Sequence, residues 1–303
     1  GTPATIFLCG SSLGQSPILG PPRTITDRRE PMWEEKRMLI WCQTYPALST
    51  KYTETVCTGA LEIGKPGLMR LYPLALRGLD NTSRHNKWSV IKARVSRATA
   101  DKRPESWKID NGSIEFEERF ESTSDKRRVE DLYEDRNVYE GLEHLEFEQK
   151  RIKTSMGLVK AELVSARLEL VTEREQKEWR EKFKRITANK DLWEDSIKPI
   201  PQAQLRPKVT FRCAGDREEY ERTAMGWEIY ALARNVREYS PDANIDELSA
   251  IFERDLRQKC FGEKHDTRLA LGNIKRFPSQ FSIISILYPR KDRHDPTAQQ
   301  GLF

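Results

Sequence analysis

Residues 38–62 read MLIWCQTYPALSTKYTETVCTGALE, residues 67–79 read GLMRLYPLALRGL, and residues 87–106 read KWSVIKARVSRATADKRPES. Together they decide the fold class. Residues 38–43 are apolar on both faces, the mark of a strand covered on both sides. Residues 53–61 and 68–72 flank EIGKPG, whose Gly64, Pro66 and Gly67 are turn residues, so the two segments predict a hairpin. Residues 88–96 alternate strictly, with Ile91, Ala93 and Val95 on one face and Lys92, Arg94 and Ser96 on the other. At least four strands thus fall within a short span, and a small barrel or curled sheet is the economical way to bury them.

Working outward, residues 1–36 read as a short strand, TIFLCG, followed by a polar, proline-rich stretch. Gly10 to Gly14 after a strand suggest a phosphate-binding turn. That geometry needs a helix start, and Gly20-Pro21-Pro22 opposes one, so a loose extension is the expectation. Ile6 to Cys9 come with no basic start or long apolar stretch beside them, so residues 1–36 are not expected to act as a signal peptide. No run approaches the ~18 apolar residues of a membrane helix.

Residues 113–194 are dense in charge of both signs. Leu132, Tyr139, Leu142 and Leu145 suggest amphipathic helix, and Trp179, Phe183 and Ile186 resume helical spacing. MGLVKAELVSARLEL between them suits either a strand or a helix. Mixed charge of this kind is ordinarily a solvated helical face. Pro199, Pro201 and Pro207 mark a linker. Residues 209–213 read as a strand. Residues 216–239 read as one helix, with Asp216 as cap and Ser240-Pro241 as stop. A second helix follows with Asn244 as cap and Leu248, Ile251, Phe252 and Leu256 turned inward. Two strands, 267–271 and 281–288, close the rear. The expected organisation is a flexible extension over 1–37, a β-rich front half over 38–112, a charged helical insertion over 113–200, an α/β rear half over 201–290 and a tail over 291–303. The fold class is α+β: a mixed, mostly antiparallel sheet or small β-barrel from both chain ends, with two packed helices.

Charged residues make up 33% of the chain, yet 52 Lys and Arg face 47 Asp and Glu, leaving a net charge of only +5. That balance permits nucleic-acid contact without demanding it. The five cysteines are widely spaced and odd in number, as for reduced thiols in a cytoplasmic protein. No Cys/His spacing fits a metal, and no cofactor motif is present.

Three polar clusters are candidates for chemistry. Ser49, Lys51, Tyr52 and Glu54 enter a strand, where Lys51 suits an anion contact and an ordinary loop is the plainer reading. Arg70, Tyr72 and Arg77 follow. Arg70 interrupts Met69 and Leu71 and so faces away from them, and an Arg beside a Tyr can grip a phosphate and stack on a base. Asp101, Arg103, Glu105 and Ser106 form the third, able to hold a divalent ion if the loop folds back, or to fix the loop through an Asp–Arg pair. Farther on, Glu228 within a helix and Asp266 at a strand start resemble part of a metal-dependent nuclease site, but FSIISILY lacks the carboxylate and lysine that would complete it.

The pattern as a set resembles a family of bacterial proteins whose activity is unknown. The front motifs KTYP-x-x-S-x-KY-x-E-x-VCT, RLYP and D-x-RPES appear here as QTYPALSTKYTETVCT, MRLYP and DKRPES. The rear motifs appear as TFRC, GWEIY, LGN and SIISILYP. The resemblance covers about residues 38–290 and implies that residues 38–110 and 208–290 belong to one fold. Members can carry a second Cys and a His after the position of Cys213. AGDREEYER has neither, which speaks against a metal knuckle in this chain.

The leading expectation is non-catalytic recognition of nucleic acid or a nucleotide-like anion, in a bacterial accessory or defence system. Lys51, Arg70, Tyr72, Arg77 and Arg103 form the contact set, with no cofactor, no metal and no catalytic residue assigned. A metal-dependent nuclease using Asp101, Glu105, Glu228 or Asp266 is one alternative. A protein-interaction subunit docking through residues 113–195 is the other.

Overall fold

The computed structural model describes residues 32–50, 53–74, 79, 85–120, 131–133, 135–188 and 202–291. The Gly10–Gly14 turn, Lys51, Tyr52, Arg77, Pro199, Pro201 and all but the first residue of the tail fall outside them.

The front of the chain supplies seven strands: β1 (Glu34–Gln43), β2 (Ala47–Ser49), β3 (Thr53–Glu62), β4 (Leu68–Leu74), β5 (Ser89–Arg97), β6 (Ser106–Ile109) and β7 (Glu115–Arg119). Five of them close on themselves in the order β1-β3-β4-β6-β5, because β1 pairs with β5 as well as with β3. Met38, for example, faces Glu62 on one side and Ile91 on the other. Closure leaves the ring without a free edge, so its backbone groups are satisfied internally. The β4–β6 pair is parallel and the remaining four are antiparallel. The period-2 reading holds: Ile91, Ala93 and Val95 join Met38, Ile40, Met69 and Leu71 in the barrel core. The EIGKPG turn also holds, with Gly64 at φ 75° and Gly67 at φ 101°, a region that favours glycine.

The rear supplies β8 (Val138–Tyr139), α1 (Leu142–Ile152), β9 (Met156–Leu170), α2 (Glu173–Ala188), β10 (Leu205–Cys213), β11 (Glu219–Thr223), α3 (Trp227–Tyr239), α4 (Ile245–Cys260), β12 (Arg268–Ile274) and β13 (Phe277–Leu287). They build a second sheet in the order β11-β10-β9-β12-β13. It curls into a half-barrel, and the residue after β11 reaches β13 through an Ala224–Ile283 bridge. Ile229, Ala233 and Val236 of α3 and Leu248, Phe252 and Leu256 of α4 fill its concave core with Val209, Phe211 and Leu269. The Asn244 cap is as expected: its side chain accepts from Asp246 N and Glu247 N, and Glu247 returns a bond to Asn244 N, a full capping box.

The α+β class with a small barrel and two packed helices is therefore borne out, with four corrections of detail. The strands of the two ends do not share a sheet. The front closes by itself, and the rear has enough strands because MGLVKAELVSARLEL is the 15-residue β9 at the centre of the second sheet. The charged middle is thus not wholly helical. The ends meet instead through a hydrophobic seam, in which Trp41, Leu61 and Leu68 on the barrel's outer face pack on Met156, Leu158, Ala270 and Ile284.

The expected helix from Asp216 begins only at Trp227. Residues 219–223 instead pair with β10, where Tyr220 lies 5.9 Å from Phe211 between ring centroids. Asp216 still caps a helix, but a different one: its carboxylate accepts from Leu142 N of α1 at 2.8 Å. Pro207 lies within β10 rather than in a linker.

Candidate functional site

Arg70 sits on β4 between Met69 and Leu71, which point into the barrel, so its side chain leaves on the outer face as the alternation requires. That outer face is the seam. Arg70 is only 4% exposed. Its Nη1 donates to Cys57 Sγ at 3.0 Å, and its Nη2 donates to Ser155 O at 3.0 Å. Glu105, also buried, accepts from Ser155 N at 2.9 Å, Ser155 Oγ at 2.8 Å and Thr154 Oγ1 at 3.3 Å. Ser155, at the entry to β9, therefore links a barrel guanidinium to a barrel carboxylate. Burial disfavours the Arg70 charge, but Cys57 and Glu105 outweigh it and leave the group above its ordinary pKa.

The DKRPES loop joins the same network. Arg103 makes a forked pair with Asp101 and donates to Asn273 O of β12 at 2.9 Å. Ser106 Oγ donates to Asp101 at 2.9 Å. Burial alone would raise the Asp101 carboxyl, but the bonds from Arg103 and Ser106 dominate and hold it at about 2. Asn273 N donates to Ser155 O, which completes the tie between loop, β4, β9 and β12.

Of the contact set, the structure thus brings Arg70 and Arg103 together, but in an internal joint between barrel and half-barrel. Tyr72 stands on β4 with 49% of its surface open. Lys51 and Arg77 lie outside the described residues. The carboxylates of the nuclease alternative are dispersed among separate partners. Glu228 takes Lys87 at 2.8 Å, Asp266 takes Arg268 at 3.6 Å, and Asp101 and Glu105 are committed as above. Among the described residues no three His, Cys, Asp or Glu side chains form a metal-ligating group.

In front of this joint lies a cleft of about 460 Å³, with Glu105 and Thr154 in its wall. Lys36, Lys65, Arg97 and Arg136 line it, against Glu62 and Glu105 as the lining carboxylates, an excess of two positive charges. Trp107 organises the cations. Arg97 lies over its ring at 4.0 Å and Lys36 at 4.9 Å from the centroid. Arg97 is steadied by the Pro104 carbonyl. Lys36 is spent on Glu34 and Glu62, whereas Lys65 is 62% exposed and held to Glu62 at one end. Burial pushes the Glu62 carboxyl up, and Lys36 and Lys65 more than reverse it. The site is a pre-arranged cationic notch that suits phosphate oxygens.

Sequence reasoning missed these residues because the signal is split over distant segments. Arg97 and Trp107 belong to one readable run, KARVSR followed by SWK, with basic and aromatic residues interleaved. Lys65 sits in a turn that advertises only its backbone chemistry. Arg136 joins from beyond the barrel.

A closed small barrel joined through a polar and apolar seam to a helix-filled half-barrel defines the class of α+β protein. Residues 34–134 match a domain of unknown function, DUF8758, and residues 138–303 match a second, DUF8757. The chain belongs to the DUF8757 family, whose match spans more than half of it. No curated protein matches it in sequence. The boundary between the two matches falls between β7 and β8, where the first sheet ends and the second begins.

Proposed function

We propose that the protein recognises nucleic acid or a nucleotide-like anion without chemistry, and that the notch between the two sheets grips the phosphate. The observation that carries this reading is Arg97 held over the Trp107 ring at 4.0 Å, with Lys65 and Arg136 lining the same open cleft. An arginine fixed by an aromatic face loses little freedom when it binds, and its remaining N–H groups match phosphate geometry. Tyr72, exposed on β4 though not among the residues lining the notch, is the ring we assign to stack on a base. Arg70 and Arg103 serve behind the notch by fixing its wall.

Two arrangements weaken the alternatives. The nuclease reading needs clustered carboxylates, whereas Glu228 bonds Lys87, Asp266 pairs with Arg268, Asp101 with Arg103, and Glu105 accepts from Thr154 and Ser155. The interaction reading needs a free apolar stripe on the longer insertion helix, α2, since α1 exposes only Phe147 and Ile152 among its large apolar residues. The stripe of α2 is already used: Ile186, Trp179 and Phe183 pack on Leu48 of β2, and Lys182 Nζ donates to Leu48 O at 2.8 Å.

Fluorescence anisotropy with a short labelled single strand tests the reading across a salt series. Affinity should fall steeply with salt. The Arg97→Glu, Arg136→Glu double variant should bind at least about tenfold more weakly and lower the slope of log K against log salt by about 1–1.5. Unchanged affinity and slope in that variant would sink the proposal. So would magnesium-dependent cleavage of the strand that Asp266→Ala abolishes.

A further inference from the structure

A second cavity, of about 280 Å³, lies where the end of β1 meets the start of α3. Thr44 bridges Gly226, and Tyr45 N donates to Met225 O at 2.7 Å, so the barrel delivers Tyr45 onto the helix. The Tyr45 ring stacks on Tyr230 at 4.5 Å and 27°, and stands 5.9 Å from Trp227 at 36°. Trp227 is 36% exposed although it is large and apolar. The spacing Trp227, Tyr230, Arg234, Arg237 keeps all four on one side of α3. Among the described residues Arg234 makes a long surface contact with Glu238, at 3.6 Å, and Arg237 donates to Ala243 O at 3.2 Å. Gln202 closes the other wall.

These features define the occupant's chemistry. Aromatic walls select a flat ring. An aromatic box also suits a quaternary ammonium, but two arginines against the lone Glu238 carboxylate make the rim positive and disfavour a cation. Two guanidinium groups on the rim call for an anionic oxygen on the ligand. The volume lies just under the span of ligand pockets, about 300–1,000 Å³, so the occupant is one ring system with a short acidic arm rather than a polymer. We infer that this cavity is a second ligand site, separate from the junction notch, that takes a planar aromatic ring joined to an anionic group, the chemistry shared by a nucleoside monophosphate and an aromatic carboxylate.

Isothermal titration calorimetry on the full chain tests it with AMP, UMP, adenosine, indole-3-acetate and inorganic phosphate as probes. The inference expects at least one of the ring-plus-anion probes to bind with Kd of about 1 mM or tighter. AMP or UMP identifies a nucleotide site, and indole-3-acetate alone identifies an aromatic-acid site. Arg234→Ala should weaken the binding probe roughly tenfold while changing adenosine little. Trp227→Leu, at an exposed position, should weaken both, with far-UV circular dichroism showing that the fold is kept. The Arg97→Glu, Arg136→Glu variant should leave this binding unchanged, which separates its failure from failure of the notch. Binding of none of the ring-plus-anion probes, equal binding by phosphate alone, or indifference to both Arg234→Ala and Trp227→Leu overturns the inference.

Discussion

Replacing Arg70 by methionine removes a buried guanidinium and keeps comparable apolar bulk. The variant loses the bonds to Cys57 Sγ and Ser155 O, and leaves the Glu105 carboxylate without the buried cation that balances it. Breaking a buried charge pair from one side costs about 3–5 kcal/mol. Glu105 keeps its three bonds from Thr154 and Ser155, which places the expected loss near the lower end, about 3 kcal/mol. With a urea m-value of about 1–3 kcal/mol/M, the unfolding midpoint should drop by about 1 M or more. Tryptophan fluorescence reads it, since Trp41 lies in the seam itself. Adding Glu105→Gln should restore at least about 1 kcal/mol, because the two residues are coupled through Ser155. An unfolding free energy for Arg70→Met within about 0.5 kcal/mol of the parent refutes the joint. If stability holds while nucleic-acid affinity falls, Arg70 is a ligand contact and the notch is misplaced.

Two further outcomes follow from named contacts. The Asp101 carboxyl is held at about 2 in the folded chain, below its unfolded value of about 3.9. Its contribution of about 2 kcal/mol is therefore complete above that unfolded value and is lost as pH falls toward 2. Asp101→Asn should flatten the urea midpoint over this acid range, and an unchanged acid limb refutes the assignment. Gly59→Ala would place a Cβ 2.7 Å from Trp41 Cζ2 and 2.8 Å from Trp41 Cε2, against a ring with no exposed surface. It should destabilise by about 1–3 kcal/mol, and a thermal melt indistinguishable from the parent would show that the seam yields.

What the sequence determined by itself was local. The EIGKPG turn, the strict alternation of β5 and the Asn244 cap follow from backbone chemistry within a few residues, and each is where the pattern put it. Even the outward direction of Arg70 was legible, because period 2 is a property of the strand. What lay outward was not legible. Tertiary structure covered that face with β9, turning a candidate phosphate contact into a buried tie. It gave Asp216, a sound cap residue, to a helix some seventy positions earlier in the chain. It also chose strand for residues 156–170, where four residues covered on both faces precede an alternation whose phase slips at a bulge between Leu163 and Ser165, so no single period runs through the segment. The physical reason is common to all three. Alternation and capping are set by neighbours in sequence, whereas the medium a side chain meets is set by whichever distant segment packs upon it.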